Sequence, residues 1–150
     1  HFSMGNMDKF KELLEYATKL NPENIELQFN LGVIAANAGD VENATKYYER
    51  ALELNPNYAN AFIALLSIKE KSMLDEMNNL GTSAADDHRY DELLDEKKQL
   101  FLDAIRYLEK VLESDSTNPQ VVQTLSFIYS ATGNDAKAKE YKDMADRLQQ

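Results

Sequence analysis

Apolar side chains recur at intervals of three and four residues along most of the chain, which is the spacing of one face of an α-helix. Two stretches keep this spacing longest: Ile63, Leu66, Glu70, Met73, Met77 and Leu80, then Tyr90, Leu93, Lys97, Leu100, Ala104, Tyr107 and Val111. The pattern predicts an all-α chain of about seven helices, over residues 7–20, 23–38, 41–54, 57–80, 84–114, 119–132 and 135–149. Only 5 glycines and 3 prolines occur, too few turn-forming residues for a protein of many short strands.

The chain also repeats itself with a period of 34 residues. Residues 20–22, Leu-Asn-Pro, recur as residues 54–56, and Ala104 recurs as Ala138. Gly39 and Gly133 are each followed by an alanine five residues later. A period of this length is typical of proteins built from stacked helix pairs, in which each pair covers the apolar face of the next.

Residues 25–58 contain the clearest copy of the repeat: Leu31, Gly32, Ala44, Tyr48, Ala51 and Pro56. This pattern resembles the tetratricopeptide repeat (TPR) family, and departs from it at Gln28 and Ala35, where the family usually has an aromatic residue and a tyrosine. The resemblance implies antiparallel helix pairs stacked as a right-handed α-solenoid. It divides the chain into a half repeat at 7–22, a repeat at 25–58, an extended repeat at 59–118 and a repeat at 119–150, together one domain over residues 6–150.

The spacing has a physical reason. Leu31 and Gly32 lie on one face of a first helix, and Ala44 and Tyr48 lie on one face of the second. Gly32 and Ala44 are small enough for the two helices to approach closely, and the Tyr48 ring fills the space between neighbouring units. A large residue at position 32 is therefore expected to destabilise the fold by about 1–3 kcal/mol through overpacking.

The third unit is longer than the others. Leu65 and Ala104 are 39 residues apart, whereas the equivalent Leu31 and Ala44 are 13 apart, so 26 extra residues lie between the paired helices. Both flanks are helical and a stop signal lies at Gly81, which predicts a projecting antiparallel hairpin about 20 Å longer than the repeat body. Glu70 and Lys97 are expected to pair across it or to lie at its edge. The alternative, two solvated side chains, stays open.

The two ends of the chain differ in character. Residues 1–5 lack periodicity and are expected to be a remnant of an expression tag. Helix 7–20 lacks the partner helix of its repeat, so its apolar face is expected to be exposed, or covered by residues outside this sequence or by another copy of the chain. Helix 135–149 is the most polar, which is typical of the solvated cap of a solenoid.

Charge and composition exclude several classes of partner and chemistry. The chain has 16 basic and 26 acidic residues, a net charge of −10, which argues against nucleic acid and anionic membrane surfaces as partners. No apolar run approaches the roughly 18 residues of a membrane-spanning helix. Cysteine is absent, which excludes disulfides and thiolate metal sites. His88 stands in a polar stretch near the hairpin tip, and no glycine-rich phosphate loop occurs. We therefore predict no enzyme activity, no metal and no cofactor.

The family resemblance implies a partner-binding face on the first helix of each unit. Carried over residue by residue, this face consists of Glu26, Phe29, Asn30, Val33, Asn37, Asn60, Ser67, Lys71, Gln123, Phe127 and Ser130. It lacks the lysines and arginines with which some TPR domains hold acidic carboxyl-terminal tails. Phe29, Val33 and Phe127 favour an apolar or amphipathic partner segment, although core packing explains aromatic residues equally well.

Three functions remain in competition at this point. A non-catalytic module that binds a peptide or helix of a partner protein is favoured. A structural role with self-association as a homodimer is the alternative, and an enzyme or small-ligand domain has little support. The sequence resembles bacterial TPR proteins of the cytoplasm or envelope, which leaves the compartment open between cytoplasm and periplasm. Neither the partner nor the biological process follows from the fold.

Overall fold

The computed structural model describes residues 4–149, with side chains from residue 8 onward. This part of the chain contains seven helices and no strand: α1 (Met4–Leu20), α2 (Ile25–Asn37), α3 (Val41–Leu54), α4 (Ala59–Asn78), α5 (Ala84–Ser114), α6 (Pro119–Ala131) and α7 (Asp135–Leu148). The predicted all-α fold class is confirmed, and most predicted helix ends lie within two residues of the observed ones. The first helix begins three residues earlier than predicted, so Met4 and Gly5 of the expected tag remnant are helical. Residues 1–3 of that segment lie outside the described residues.

The helices begin and end with strong local signals. Five helices begin at a capping residue, whose side chain accepts a hydrogen bond from a backbone N–H in the first turn of the helix. These residues are Asn24 for α2, Asp40 for α3, Ser83 for α5, Asn118 for α6 and Asn134 for α7. Gly39 and Gly133 follow α2 and α6 with φ angles of 81° and 88°, a conformation that favours glycine. These signals explain why the pattern could place the helices so closely.

The chain divides into two compact units, one ending at Leu65 and one beginning at Leu66, with the boundary inside α4. In the N-terminal unit, α2 packs on α3 through fully buried small residues, among them Ala35, Ala44 and Ala51. A Cβ atom added to Gly32 would lie 2.5 Å from Cε1 of Tyr48, so the glycine is required for the tyrosine ring to pack there. The expected single domain over residues 6–150 stays a prediction.

The C-terminal unit contains the rest of α4, then α5, α6 and α7. Its core is larger: it includes Leu93 and the second half of α5, and it continues into α6 and α7. The most deeply buried side chains are Leu93, Phe101, Ala104, Leu108, Val121, Val122, Leu125 and Ile128. This core fixes α6 and α7 against α5, which is 31 residues long.

The predicted hairpin forms the beginning of this second unit. α4 ends at Asn78, α5 begins at Ala84, and the backbone N–H of Gly81 donates to Oδ2 of Asp86 at 2.8 Å across the turn. The two helices are joined by Arg89, whose Nε and Nη2 donate to the carboxylate of Glu76 at 2.6 and 3.0 Å. This bidentate bond holds the pKa of Glu76 below its usual value.

Of the two arrangements expected for Glu70 and Lys97, pairing across the hairpin was wrong, and a position at its edge stays a prediction. The ion pairs within residues 8–149 do not include this pairing, and Nζ of Lys97 lies instead over the ring of Phe101, 5.6 Å from the centroid. A lysine beside an aromatic ring on its own helix gains a cation–π contact without crossing to the other helix. The charged pair of this hairpin is therefore Arg89–Glu76, nearer the turn.

Candidate functional site

In the N-terminal unit the predicted binding residues form one face of α2 and the start of α4. Glu26, Asn30 and Asn37 are exposed on α2, as Asn60 is on α4, whereas Phe29 and Val33 are half-buried. The Phe29 ring packs 5.5 Å from that of Tyr48 and 5.6 Å from that of Tyr58, measured between centroids. Phe29 therefore belongs partly to the packing of its own unit.

In the C-terminal unit the predicted residues are distributed over two helices. Gln123, Phe127 and Ser130 follow one another at helical spacing on α6 and are all exposed, as are Ser67 and Lys71 on α4. In each unit, the predicted residues that belong to the same helix lie near one another on that helix. These exposed polar side chains are available for hydrogen bonds with a partner.

Phe127 is the most exposed aromatic side chain of the C-terminal unit, with 57% of its surface accessible. Its ring meets that of Phe101 edge to face, with centroids 6.2 Å apart. Phe101 itself is only 2% exposed, so Phe127 is supported from beneath by the core while one side faces solvent. Aromatic side chains, Phe among them, are enriched in protein interfaces.

A cleft beside Phe127 was not predicted from the sequence. It measures about 340 Å³ and is lined by Leu94, Lys97, Lys98, Phe101, Ala131 and Thr132; we call it the α5–α6 cleft. Leu94 and Tyr90, one turn earlier on α5, are also exposed, at 45% and 42%. Sequence reasoning assigned Tyr90 and Lys97 to the hairpin contact. The signal that could have found the cleft is that Lys97 and Lys98 are flanked three and four residues away mainly by apolar side chains.

A hydrogen-bonded cluster joins α5, α6 and α7 below the surface. The hydroxyls of Tyr129 and Tyr141 donate to the same oxygen, Oε2 of Glu109, at 3.1 and 2.6 Å, and their rings stack 5.7 Å apart. Burial, followed by the bond to Glu109, raises the pKa of Tyr129 to about 12 and raises that of Tyr141 as well. Both tyrosines are therefore neutral donors at physiological pH, and the cluster fastens the last helix pair to α5.

Groups that would carry chemistry are sparse in the described residues. His88 is 80% exposed at its side chain and lies 3.7 Å from Glu92 one turn along α5. Across residues 8–149, His, Asp and Glu side chains form no group of three or more that would hold a metal ion. Among the described helices none is both long and apolar enough to cross a membrane.

These features define the class of protein: a helical-repeat protein with a 34-residue period, small residues where paired helices cross, and aromatic side chains on the exposed face of first helices. Comparison with known proteins agrees. The family model described as "Tetratricopeptide repeat" matches residues 25–58, the segment the sequence pattern marks most clearly. The resemblance to the TPR family is thereby confirmed for this segment.

Two curated relatives share part of the chain. Photosystem I assembly protein Ycf3 of Acaryochloris marina is 41% identical over 66 residues, which are 39% of this chain and 40% of that protein. An uncharacterised protein of Methanocaldococcus jannaschii is 43% identical over 42 residues, 28% of this chain and 49% of that protein. The matches thus span less than half of the length of either relative.

Among solved structures, a crystal structure of MamA superposes on 97% of this chain and 65% of its own, with a TM-score of 0.58 and 18% identity. A second MamA structure covers 97% of this chain and 68% of its own, with a TM-score of 0.50 and 20% identity. At this level of identity the likeness shows the fold alone. It extends the helical-repeat architecture from residues 25–58 to almost the whole chain.

Proposed function

We propose that this chain is a non-catalytic protein-interaction scaffold that holds a segment of a partner protein on the exposed face of its first helices. The observation that carries the proposal is Phe127, an aromatic ring 57% exposed yet supported by the buried Phe101. Exposed polar side chains, Gln123 and Ser130, lie one turn to either side on the same helix. An apolar anchor between polar groups fits an amphipathic segment, in keeping with the TPR resemblance.

The charge of the chain limits the partner. The predicted first-helix face includes one lysine, Lys71, and one glutamate, Glu26, so it offers no cluster of cations for an acidic carboxyl-terminal tail. On this face, which lacks paired cations, Coulomb repulsion from a net charge of −10 also opposes such a ligand. We therefore expect a partner segment held mainly through apolar contact, and neither nucleic acid nor a membrane as a partner.

The test uses wild-type protein and a Phe127→Glu variant as baits in extract of the source organism. Leu102→Glu is the matched control, because Leu102 is 38% exposed on α5 of the same unit and undergoes the same apolar-to-acidic change. A partner held by wild type and by the control but lost by Phe127→Glu supports the proposal. A partner retained by all three baits, with unchanged circular dichroism, would contradict it.

A second candidate is self-association, favoured by one observation in the N-terminal unit. α1 presents a stripe of apolar side chains, Phe10, Leu13, Tyr16 and Leu20, between 44% and 67% exposed. Such a face is costly to leave in water and is often covered by another protein surface. Light scattering of wild type beside a Leu13→Glu, Tyr16→Glu variant separates this function from the first: a dimer that the variant converts to monomer supports it, and a concentration-independent monomer excludes it.

A further inference from the structure

The α5–α6 cleft is a product of the extended repeat. In the repeat at 25–58 the second helix begins at Val41, three residues before Ala44. Ala104 is the equivalent of Ala44, so an ordinary second helix would begin near residue 101, whereas α5 begins at Ala84. Leu94, Lys97 and Lys98 thus come from the extension, and a repeat of standard length would have no wall at this position.

The cleft combines an apolar floor with a cationic rim. Phe101, 2% exposed, forms the floor, and Leu94, 45% exposed, forms the open side. Lys97 and Lys98 lie at the rim, and no carboxylate is among the lining residues. In a chain with 26 acidic residues, two adjacent lysines on an apolar wall are a local reversal of the overall charge.

Neither lysine is used in an ion pair within residues 8–149. The ion pairs there engage Lys11, Lys46, Arg50, His88, Arg89, Lys137 and Lys139. The carboxyl end of α6, which adjoins the cleft, does not require them either, because backbone N–H groups of Thr132, Gly133 and Asn134 already donate to its last carbonyls. Nζ of Lys97 lies over the Phe101 ring, 5.6 Å from its centroid, which holds it at the cleft without a carboxylate partner. Among these residues both ammonium groups therefore lack a paired carboxylate and can meet an anionic partner group.

We propose that the α5–α6 cleft binds an acidic amphipathic segment of a partner protein, inserting one apolar side chain between Leu94 and Phe101 and placing an Asp or Glu carboxylate against Lys97 and Lys98. A volume of about 340 Å³ is at the lower end for ligand pockets, which suits a single anchoring side chain. Charge complementarity with the two lysines then favours an acidic residue next to that anchor in the partner segment. The inference rests on the proposed function, and adds a second point of contact beside Phe127 that selects for acidic sequence.

The test is selection of a phage-displayed library of random 12-residue peptides, fused at their carboxyl ends to the coat protein, on the whole chain. Selected sequences are resynthesised with amidated carboxyl ends and titrated by fluorescence anisotropy. We expect an apolar residue with Asp or Glu within four positions, and affinity about tenfold weaker for Lys97→Gln, Lys98→Gln and for Leu94→Gln. The matched control is Lys69→Gln, Lys110→Gln, which removes the same charge from two exposed lysines outside the cleft and should change affinity less than twofold.

Three outcomes would overturn the inference. Selected peptides without acidic residues would remove the charge argument. Peptides that bind the Lys97→Gln, Lys98→Gln variant as tightly as the lysine control, but do not bind Phe127→Glu, would refute binding in the cleft. The proposed function would then stand. If no peptide is enriched on wild type, the result counts against both the cleft inference and the proposed function. A partner captured through Phe127 in the bait experiment would then restore the proposed function but not the cleft inference.

Discussion

The helix pairs α2/α3 and α6/α7 occupy equivalent places in the repeat but are held together differently. Both first helices end at a glycine of positive φ, and both second helices begin with a capped turn. In the first pair, the Tyr48 ring packs against the backbone of Gly32. In the second pair, Ser126 stands at the position of Gly32, and its hydroxyl donates to the carbonyl of Ala138 at 2.8 Å.

The tyrosines differ as well. In α3 Tyr48 lies four residues after Ala44, whereas in α7 the equivalent position is Lys142 and the buried ring is Tyr141, one residue earlier. That shift aims the Tyr141 hydroxyl at Glu109 of α5 rather than at the crossing helix. The repeat thus fixes the spacing of two helices, while apolar contact and hydrogen bonding are alternative ways of filling the space between them.

The largest effect on stability is expected where α2 packs against α3. Gly32→Val places side-chain atoms where Cε1 of Tyr48 lies 2.5 Å from a built Cβ, and Tyr48 is only 3% exposed, so the ring has little room to move. We expect a loss of about 3 kcal/mol in the free energy of unfolding, measured by urea denaturation. Ser126→Val is the matched change in the other pair, where the position equivalent to Tyr48 is Lys142. Equal losses in the two variants would refute the distinction between the crossings.

A smaller loss is expected at the hydrogen-bonded cluster. Glu109→Ala leaves the hydroxyls of Tyr129 and Tyr141 without their acceptor, and Tyr141 is 7% exposed, so we expect a loss of about 2 kcal/mol in urea denaturation. Glu109→Gln is the control, since its amide oxygen still accepts, and it should recover at least half of the loss. An unchanged midpoint in Glu109→Ala would mean that the cluster does not stabilise the last helix pair.

The smallest effect appears only in alkali. Because the folded state raises the pKa of Tyr129 to about 12, and that of Tyr141 too, the folded protein retains these protons above pH 10 while the unfolded chain releases them. Their contribution is complete below pH 10 and is lost as the pH rises toward 12. Thermal unfolding at successive pH values should show a decline in this window that is shallower in Tyr129→Phe, Tyr141→Phe than in wild type. Parallel curves would contradict the cluster's role.

Most of the fold could be predicted because residues close together in the sequence determine the helices and their ends. The 34-residue period, the capping residues Asp40 and Ser83, and the small Gly32 each act within a few residues of their own position. The family resemblance also assigned Phe29 and Phe127 to the first-helix face, and their role in binding stays a prediction. Their burial was not predicted, because the neighbouring rings of Tyr58 and Phe101 determine it.

The features that could not be predicted depend on the directions that long side chains take between helices. Glu70 and Lys97 lie at similar distances from the turn, but Arg89 and Glu76 make the pair, because helix rotation decides which charges meet. The α5–α6 cleft likewise needs the end of α6 beside the α5 extension, a contact between residues about 35 positions apart. Sequence spacing on one helix carries no record of such a contact.

The most direct test of the central claim is site-specific photocrosslinking of the whole chain in its source cells. A benzoyl-phenylalanine is placed at Phe127, and at Lys110, which is exposed on α5 away from the predicted face, as the control. We expect a discrete crosslinked protein from position 127 that is absent from position 110. The same adducts from both positions, or none from position 127 at equal expression, would contradict a partner-binding role for this face.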